Sequence, residues 1–229
     1  MKNKDHIEFA TVLASSVHDM KNSIGMLLSS IEAILQHSPP ANAIQAKNFS
    51  TLHYEASRIN GELIQLLTLY RMDNHFLPLR IDQYYVIDVL EEQVARNIHL
   101  YETSGVQVEL ICDDNLYWYY DLDLIGGVIH NIIVNCIRYT QSKLRISAKV
   151  VDDFLCISVA DDGVGYPESM LSNPSHGVED AQFSKGATHL GLYFADLIAG
   201  LHVQGNRQGF IELTNGGGLD GGVFQLFIP

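Results

Sequence analysis

His130-Asn131-Ile132-Ile133-Val134-Asn135-Cys136-Ile137-Arg138-Tyr139-Thr140 sets two asparagines four residues apart in an otherwise apolar run. Four residues is about one helical turn, so both amides leave one face of a helix expected over 122–139. Asparagine is a poor helix-interior residue because its short side chain competes with the backbone for hydrogen bonds. Two of them among isoleucine, valine and cysteine need partners, or they face a polar pocket. One reading is a satisfied buried amide pair. The other is coordination of magnesium and phosphate by neutral oxygen ligands. Arg138, three residues beyond Asn135, would lie on the same side and could reach a phosphate.

Downstream, Cys156-Ile157-Ser158-Val159-Ala160 alternates as a strand and ends at Asp161, followed by Asp162-Gly163-Val164-Gly165. An aspartate at a strand end can accept a hydrogen bond from an exocyclic amine such as that of adenine. The two glycines let the backbone bend closely around a flat ligand. As a lone motif, D-x-G-x-G is also an ordinary turn. Upstream, His18-Asp19-Met20-Lys21-Asn22 lies on a first helix expected over about 5–37. Its apolar stripe runs Val17, Met20, Ile24, Leu27, Ile31 and Leu35. His18 is one position past Val17, about 100° round the helix, and so faces water on the flank of the stripe. An exposed neutral imidazole is a competent phosphoryl acceptor. Asp19 can orient it or take its proton, and Asn22, four residues on, shares its face. The bland alternative is a solvated surface histidine.

The chain has 229 residues, 47% apolar and 18% charged, with a net charge of −13. It is a globular composition. The acidic surface repels nucleic acid phosphates and acidic membranes, which excludes a nucleic-acid role. Cys112, Cys136 and Cys156 sit in apolar runs without metal-like spacing and read as reduced, buried thiols of a cytoplasmic protein. No apolar run reaches the ~18 residues a membrane span needs, so no membrane insertion is expected.

Ser38-Pro39-Pro40 stops the first helix. A second, over about 41–73, carries the stripe Leu52, Ala56, Ile59, Leu63, Leu66 and Tyr70 in alternating steps of four and three. The pair predicts an antiparallel hairpin that a second copy completes as a four-helix bundle, hence a homodimer. After a linker at 74–78 come a strand near 79–82, a helix at about 83–102, strands near 106–111 and 116–120, the helix at 122–139, and strands at 143–151 and 154–160. A polar loop over about 166–187, a helix at 189–203 and strands at 209–215 and 222–228 complete the chain. Asn215-Gly216-Gly217-Gly218-Leu219-Asp220-Gly221 reads as a hairpin turn and not a phosphate cradle, because no helix follows it. The expected class is α+β: a helical hairpin over 1–75, then an α/β sandwich over 76–229 with an antiparallel-rich sheet and helices on one face.

In this order the clusters resemble the transmitter region of bacterial two-component histidine kinases, with its dimerisation hairpin and ATP-binding domain of the gyrase/Hsp90/MutL type. His18 to Asn22 resembles the phosphoacceptor box, His130 to Thr140 the asparagine box, Asp161 to Gly165 the first glycine box, and Thr188-His189-Leu190-Gly191-Leu192 the second. Gly222 to Pro229 looks like the family's closing strand. Asn22-Ser23 stands where threonine-proline is usual, and His189 where glycine is expected.

The resemblance implies that His18 is phosphorylated, that Asp19 assists, and that Asn22 helps place water for dephosphorylating the partner. It implies ATP and Mg2+ as cofactors, with Asn135 ligating the metal and Asn131 and Arg138 near the phosphates. Tyr139 would lie beside the adenine and Asp161 would recognise its amine. Gly163, Gly165, Gly191 and Leu192 would form the nucleotide-side backbone, and Lys185, in a lid over 166–187, would contact phosphate. The implied partner is the receiver domain of a response regulator, with a separate sensor protein or domain supplying the signal unless the chain is cut from a longer kinase. Two alternatives stand: a phosphotransferase or phosphatase with weak ATP use, and a non-enzymatic dimeric adaptor that binds a receiver.

Overall fold

The computed structural model of the chain describes residues 2–38, 40–73, 79–171 and 189–229, without side-chain detail at 2–14, 71, 73, 189 and 190. Two units emerge, Met1–Pro78 and Leu79–Pro229.

The first unit is the expected helical hairpin, α1 (Lys2–His37) and α2 (Ala43–Asp73). The turn caps α2: Asn42 Oδ1 accepts from Gln45 N–H at 2.9 Å, while Gln45 Oε1 accepts from Ala41 N–H at 2.9 Å. This reciprocal pairing satisfies amides that the first helical turn leaves open. Pro39 lies outside the described residues.

The face of α2 that packs is not the expected stripe. His53, Ala56, Ser57, Asn60, Gly61, Gln65 and Thr68 are buried, whereas Leu52, Ile59 and Leu66 are exposed. On α1, Val17 and Ile31 are buried but Met20 and Leu27 are not. Beside Val17 and Ile31 the seam is therefore made mostly of small and polar residues, and Met20, Leu27, Leu52, Ile59 and Leu66 stay outside it. His53 Nε2 lies 3.4 Å from Glu32 Oε1 across this seam.

The second unit has its core where the apolar helix predicts it. Its elements are β1 (Ile81–Tyr85), α3 (Val86–Arg96), α4 (Ile98–Ser104), β2 (Gln107–Ile111), β3 (Tyr117–Asp121), α5 (Leu122–Ile137), β4 (Lys143–Val151) and β5 (Phe154–Asp161). Then come α6 (Glu168–Leu171), α7 (His189–Leu201), β6 (Val203–Gln204), β7 (Arg207–Gln208), β8 (Phe210–Gly216) and β9 (Gly221–Ile228). The main sheet has the order β2-β4-β5-β9-β8; β2 joins it parallel to β4 and the other pairs are antiparallel. Ile146, Val159, Phe224 and Leu213 stand in one cross-strand row of buried side chains, with Ile157, Leu226 and Ile211 in the next. These alternate with Ser147, Ser158, Gln225 and Glu212 on the opposite face, a period-two pattern that fixes register. The turn between β8 and β9 is the expected hairpin, with Gly216, Gly217 and Gly218 all at positive φ.

Several boundaries differ from the sequence reading. β1 covers 81–85 instead of 79–82 and pairs with β3 in a separate two-stranded sheet. The single helix expected at 83–102 is broken at Asn97, which is 1% exposed. The Asn97 amide donates to Gln93 O at 2.7 Å and lies 3.2 Å from His130 Nδ1, and this side-chain bonding replaces a turn of helix. α7 ends at Leu201, before His202, and a small hairpin, β6–β7, turns at Gly205. Cys136 and Cys156 are buried, but Cys112 is only half-buried because it follows the edge strand β2. Partial burial, then the charges of Asp113 and Asp114, push its thiol up to about 11.

Candidate functional site

α5 positions most of the second unit's candidate residues. Its N-cap is Asp121, whose Oδ1 accepts from Leu124 N–H at 3.1 Å and whose Oδ2 accepts from Arg80 N–H at 2.8 Å. Along α5, Asn131 and Asn135 are half-buried among fully buried neighbours. Asn135 Nδ2 donates to Asn131 Oδ1 at 3.3 Å, which turns Asn135 Oδ1 away from the pair. Asn131 Nδ2 is buried without a hydrogen-bond partner among the described residues. It points at Gly191, in the first turn of α7: a Cβ there would sit 2.6 Å from Asn131 Nδ2 and 3.2 Å from Asn135 Nδ2. The asparagines thus pair with each other yet retain unmet polar capacity. Leu192 is buried beside Gly191.

At the end of β5, Asp161 is 5% exposed. Gly163 N–H donates to its Oδ1 at 2.7 Å and Gly222 N–H to the same oxygen at 3.3 Å. Burial raises the Asp161 pKa; the two backbone bonds oppose the rise and the Asp162 charge adds to it. With both bonds on Oδ1, Oδ2 is left to a further donor. A side chain at Gly163 would collide with Tyr139 O, so glycine lets the loop close on the end of α5. Asp162 has a structural task. Its carboxylate accepts from Gln141 and Ser142 N–H and from the Ser142 hydroxyl at 2.6 Å. Desolvation pushes that carboxyl up, but these bonds outweigh it and hold it well below the usual carboxylate range.

Arg138 is the C-cap of α5, and its guanidinium sits 5.6 Å from the centroid of the exposed Tyr139 ring. Lys185 lies outside the described residues, as does most of the loop expected to form a lid; the His189 side chain also lies outside them.

Sequence reading missed three residues here. Tyr166 was assigned to the lid, yet its hydroxyl is desolvated against Cys136 and Asp161, which pushes its pKa up. Cys136 is buried behind it and hydrogen-bonds it, its own thiol pushed up chiefly by burial. Asn215 bonds to the Tyr166 backbone. The placement of Cys136 in the asparagine box was the one available signal.

In the first unit His18 is exposed, as expected, with 53% of its side chain open. Asn22 Nδ2 lies 3.3 Å from His18 Nδ1, and Asp19 Oδ1 lies 3.6 Å from the same nitrogen. These neighbours favour different tautomers. Donation from Asn22 requires an unprotonated Nδ1, which places the proton on Nε2. An Nδ1–H directed at Asp19 leaves the Nε2 lone pair free to attack. Among the described residues no cluster of three or more His, Cys, Asp or Glu could hold a metal, and no helix is long and apolar enough to cross a membrane.

Residues 120–228 match the family model of histidine kinase-, DNA gyrase B- and HSP90-like ATPases, and along most of its length the chain is similar to sensor histidine kinases. It is 23% identical over 201 residues to the sensor histidine kinase CssS of Bacillus subtilis, covering 87% of this chain and 43% of the relative. It is 23% identical over 219 residues to the sensor histidine kinase MtrB of Mycolicibacterium paratuberculosis, covering 93% and 38%. The solved histidine kinase AdeS of Acinetobacter baumannii shares the fold, with a TM-score of 0.57 at 22% identity over 92% of this chain and 96% of that one. The chain spans less than half the length of the curated relatives it matches.

Proposed function

We propose that the chain is an ATP-dependent protein-histidine kinase that phosphorylates itself on His18 and passes the phosphoryl group to an aspartate of a response regulator. The observation that carries this reading is Asp161: a buried carboxylate with both backbone bonds on one oxygen, leaving the other to a base amine. Around it, Gly163 and Gly191 occupy positions that a Cβ would fill, and Asn131 Nδ2 is buried and unmet. That donor set suits a phosphorylated nucleotide. Asn131, Asn135 and Arg138 would face the phosphates, and Tyr139 and Asp161 the base, with Gly165 and Leu192 lining the cleft. Lys185 would add a phosphate contact. Asn135 would hold Mg2+ through its neutral oxygen, and the ion supplies charge neutralisation on the phosphates when bound.

His18 performs the chemistry. With its Nδ1 proton directed at Asp19, the Nε2 lone pair bonds to the γ-phosphorus as the bond to the bridging oxygen breaks and ADP leaves. Little covalent machinery is needed, because such transfers rest on positioning and charge stabilisation. Asn22 lies one turn further along α1, where its amide orients water toward a regulator's phosphoaspartate, giving a phosphatase activity. Residues 1–78 then act as the dimerisation and phosphotransfer unit and 79–229 as the ATP-binding unit. The exposed Met20, Leu27, Leu52, Ile59 and Leu66 support a homodimer completed as a four-helix bundle. The site of action is the cytoplasm, where ATP is supplied, and the signal comes from a separate sensor protein or domain.

The test is incubation with γ-labelled ATP and magnesium beside His18→Gln. Acid-labile, base-stable label that disappears in the variant is expected. No label from ATP, with label accepted from a phosphorylated receiver, would replace the kinase by a phosphotransferase, and receiver binding without either reaction would leave an adaptor.

A further inference from the structure

We propose that Asn215 is a positioning residue for the nucleotide pocket, its carboxamide clamping both backbone polar groups of Tyr166 so that the Tyr166 ring stays against Asp161 and Cys136. The inference rests on the nucleotide-binding reading of the second unit.

Asn215 stands near the end of β8, and Tyr166 lies 49 positions earlier, just past the D-x-G-x-G loop. Asn215 Oδ1 accepts from Tyr166 N–H at 2.7 Å, and Asn215 Nδ2 donates to Tyr166 O at 2.9 Å. A primary amide carries its acceptor and donor side by side, so it pairs with one residue's backbone as a neighbouring strand would. The loop is fitted to this clamp. Gly165 has φ +76°, and a Cβ there would fall 2.7 Å from Asn215 Oδ1 and 2.9 Å from its Cγ. The second glycine of the loop thus makes room for Asn215, a reason independent of any close approach by a nucleotide.

Beyond the clamped backbone, the ring reaches the pocket wall. A Cβ at Gly222 would lie 3.0 Å from Tyr166 Cε2 and 3.1 Å from Asp161 Oδ2, so ring and carboxylate converge over that glycine. The hydroxyl at the far end of the ring bonds to Cys136, on α5 between Asn135 and Arg138. Asn215 therefore acts through Tyr166 on the surroundings of the oxygen that would recognise the base. Released from the clamp, Tyr166 swings, Asp161 loses its wall, and Cys136 loses its cover.

The experiment measures ATP affinity by calorimetry and, by peptide mass spectrometry, the rate at which an alkylating reagent labels Cys136. The chains are wild type, Asn215→Ala, Asn215→Asp and Ile211→Val. Ile211→Val trims a buried side chain on the same strand and controls for general loss of stability. Asn215→Ala is expected to weaken ATP binding by roughly tenfold, the scale of one or two lost hydrogen bonds, and to speed Cys136 labelling several-fold. Asn215→Asp keeps the acceptor for Tyr166 N–H but sets a carboxylate oxygen against Tyr166 O, so it is expected to rescue neither. Ile211→Val is expected to change neither. Wild-type affinity and wild-type labelling in Asn215→Ala would overturn the proposal, as would equal effects in Ile211→Val. Faster Cys136 labelling in Asn215→Ala beside a wild-type chain that binds no ATP would keep the clamp and overturn the nucleotide reading instead.

Discussion

His202 Nε2 accepts a 3.1 Å hydrogen bond from the backbone N–H of Asp121, tying the residue after α7 to the N-cap of α5, 81 positions earlier. Its other nitrogen lies 2.8 Å from Ile198 O, so the proton sits on Nδ1 and Nε2 must remain unprotonated. Burial lowers the His202 pKa from its ordinary 6.5, against the opposing pull of the Ile198 bond and the Asp121 charge. A histidine with a lowered folded pKa is neutral in the fold, while the unfolded chain takes up its proton first as the pH falls. The stability it contributes is complete above the unfolded pKa and is lost as the pH falls through the folded one.

Thermal unfolding of the second unit should therefore move to lower temperature between pH 7.5 and pH 5.5. His202→Leu should cost about 1–3 kcal/mol at pH 7.5 by leaving the Asp121 amide unpaired, and should narrow the gap between the two pH values. An unchanged gap would assign the acid sensitivity to another group.

Asp161→Asn should separate stability from binding. The raised pKa means that this carboxylate favours the fold below its unfolded value and opposes it once ionised, so at neutral pH it burdens the empty pocket. Asparagine keeps an oxygen for the Gly163 and Gly222 amides but turns a donor toward the ligand. The melting temperature at pH 7.5 should equal or exceed that of wild type. ATP affinity should fall by about ten- to a hundredfold, the price of an unmatched polar contact. Calorimetry and a melting curve on one preparation decide it.

His18→Gln should abolish autophosphorylation and leave ATP binding intact. Asn22→Ala should retain autophosphorylation, since the amide that favours an unprotonated Nδ1 is gone and Asp19 remains. The same variant should lose dephosphorylation of the regulator. Equal loss of both activities in Asn22→Ala would give Asn22 a structural role in α1.

Leu66→Asp places a charge on the outer apolar face of α2, where Leu66 is 43% exposed within one chain. Sedimentation should show monomers, because burying a leucine between two chains is worth about 1.5–3 kcal/mol and an aspartate there forfeits it. A Leu66→Asp dimer would put the interface on another surface.

Much of this was legible in the sequence, where local rules suffice. The apolar periodicity of α5, the alternation of β4 and β5 and the glycine turn before β9 each express one element's own preference. The asparagine and glycine boxes were readable because their spacing is local. What escaped depends on distant partners. Asn97 breaks a helix through a bond toward α5, Asn215 finds Tyr166 across 49 positions, and β2 joins the sheet in parallel. The α2 stripe was found but its direction was not: an apolar stripe announces burial without saying whether the partner is the neighbouring helix or a second chain.

The polar seam between α1 and α2 has a consequence for abundance. A hairpin that encloses His53, Asn60, Gln65 and Thr68 while turning Met20, Leu27, Ile59 and Leu66 outward gains little by folding alone. If it pairs with a second copy as proposed, its stability would rise with the amount of chain present, by mass action. The second unit owns its apolar core and follows no such law. In the proposed homodimer, the helices bearing His18 would come apart first as copy number falls, while the second unit would keep its fold on solitary chains. On that reading gene dosage would set a threshold, below which the cell would hold an ATP binder that transmits nothing.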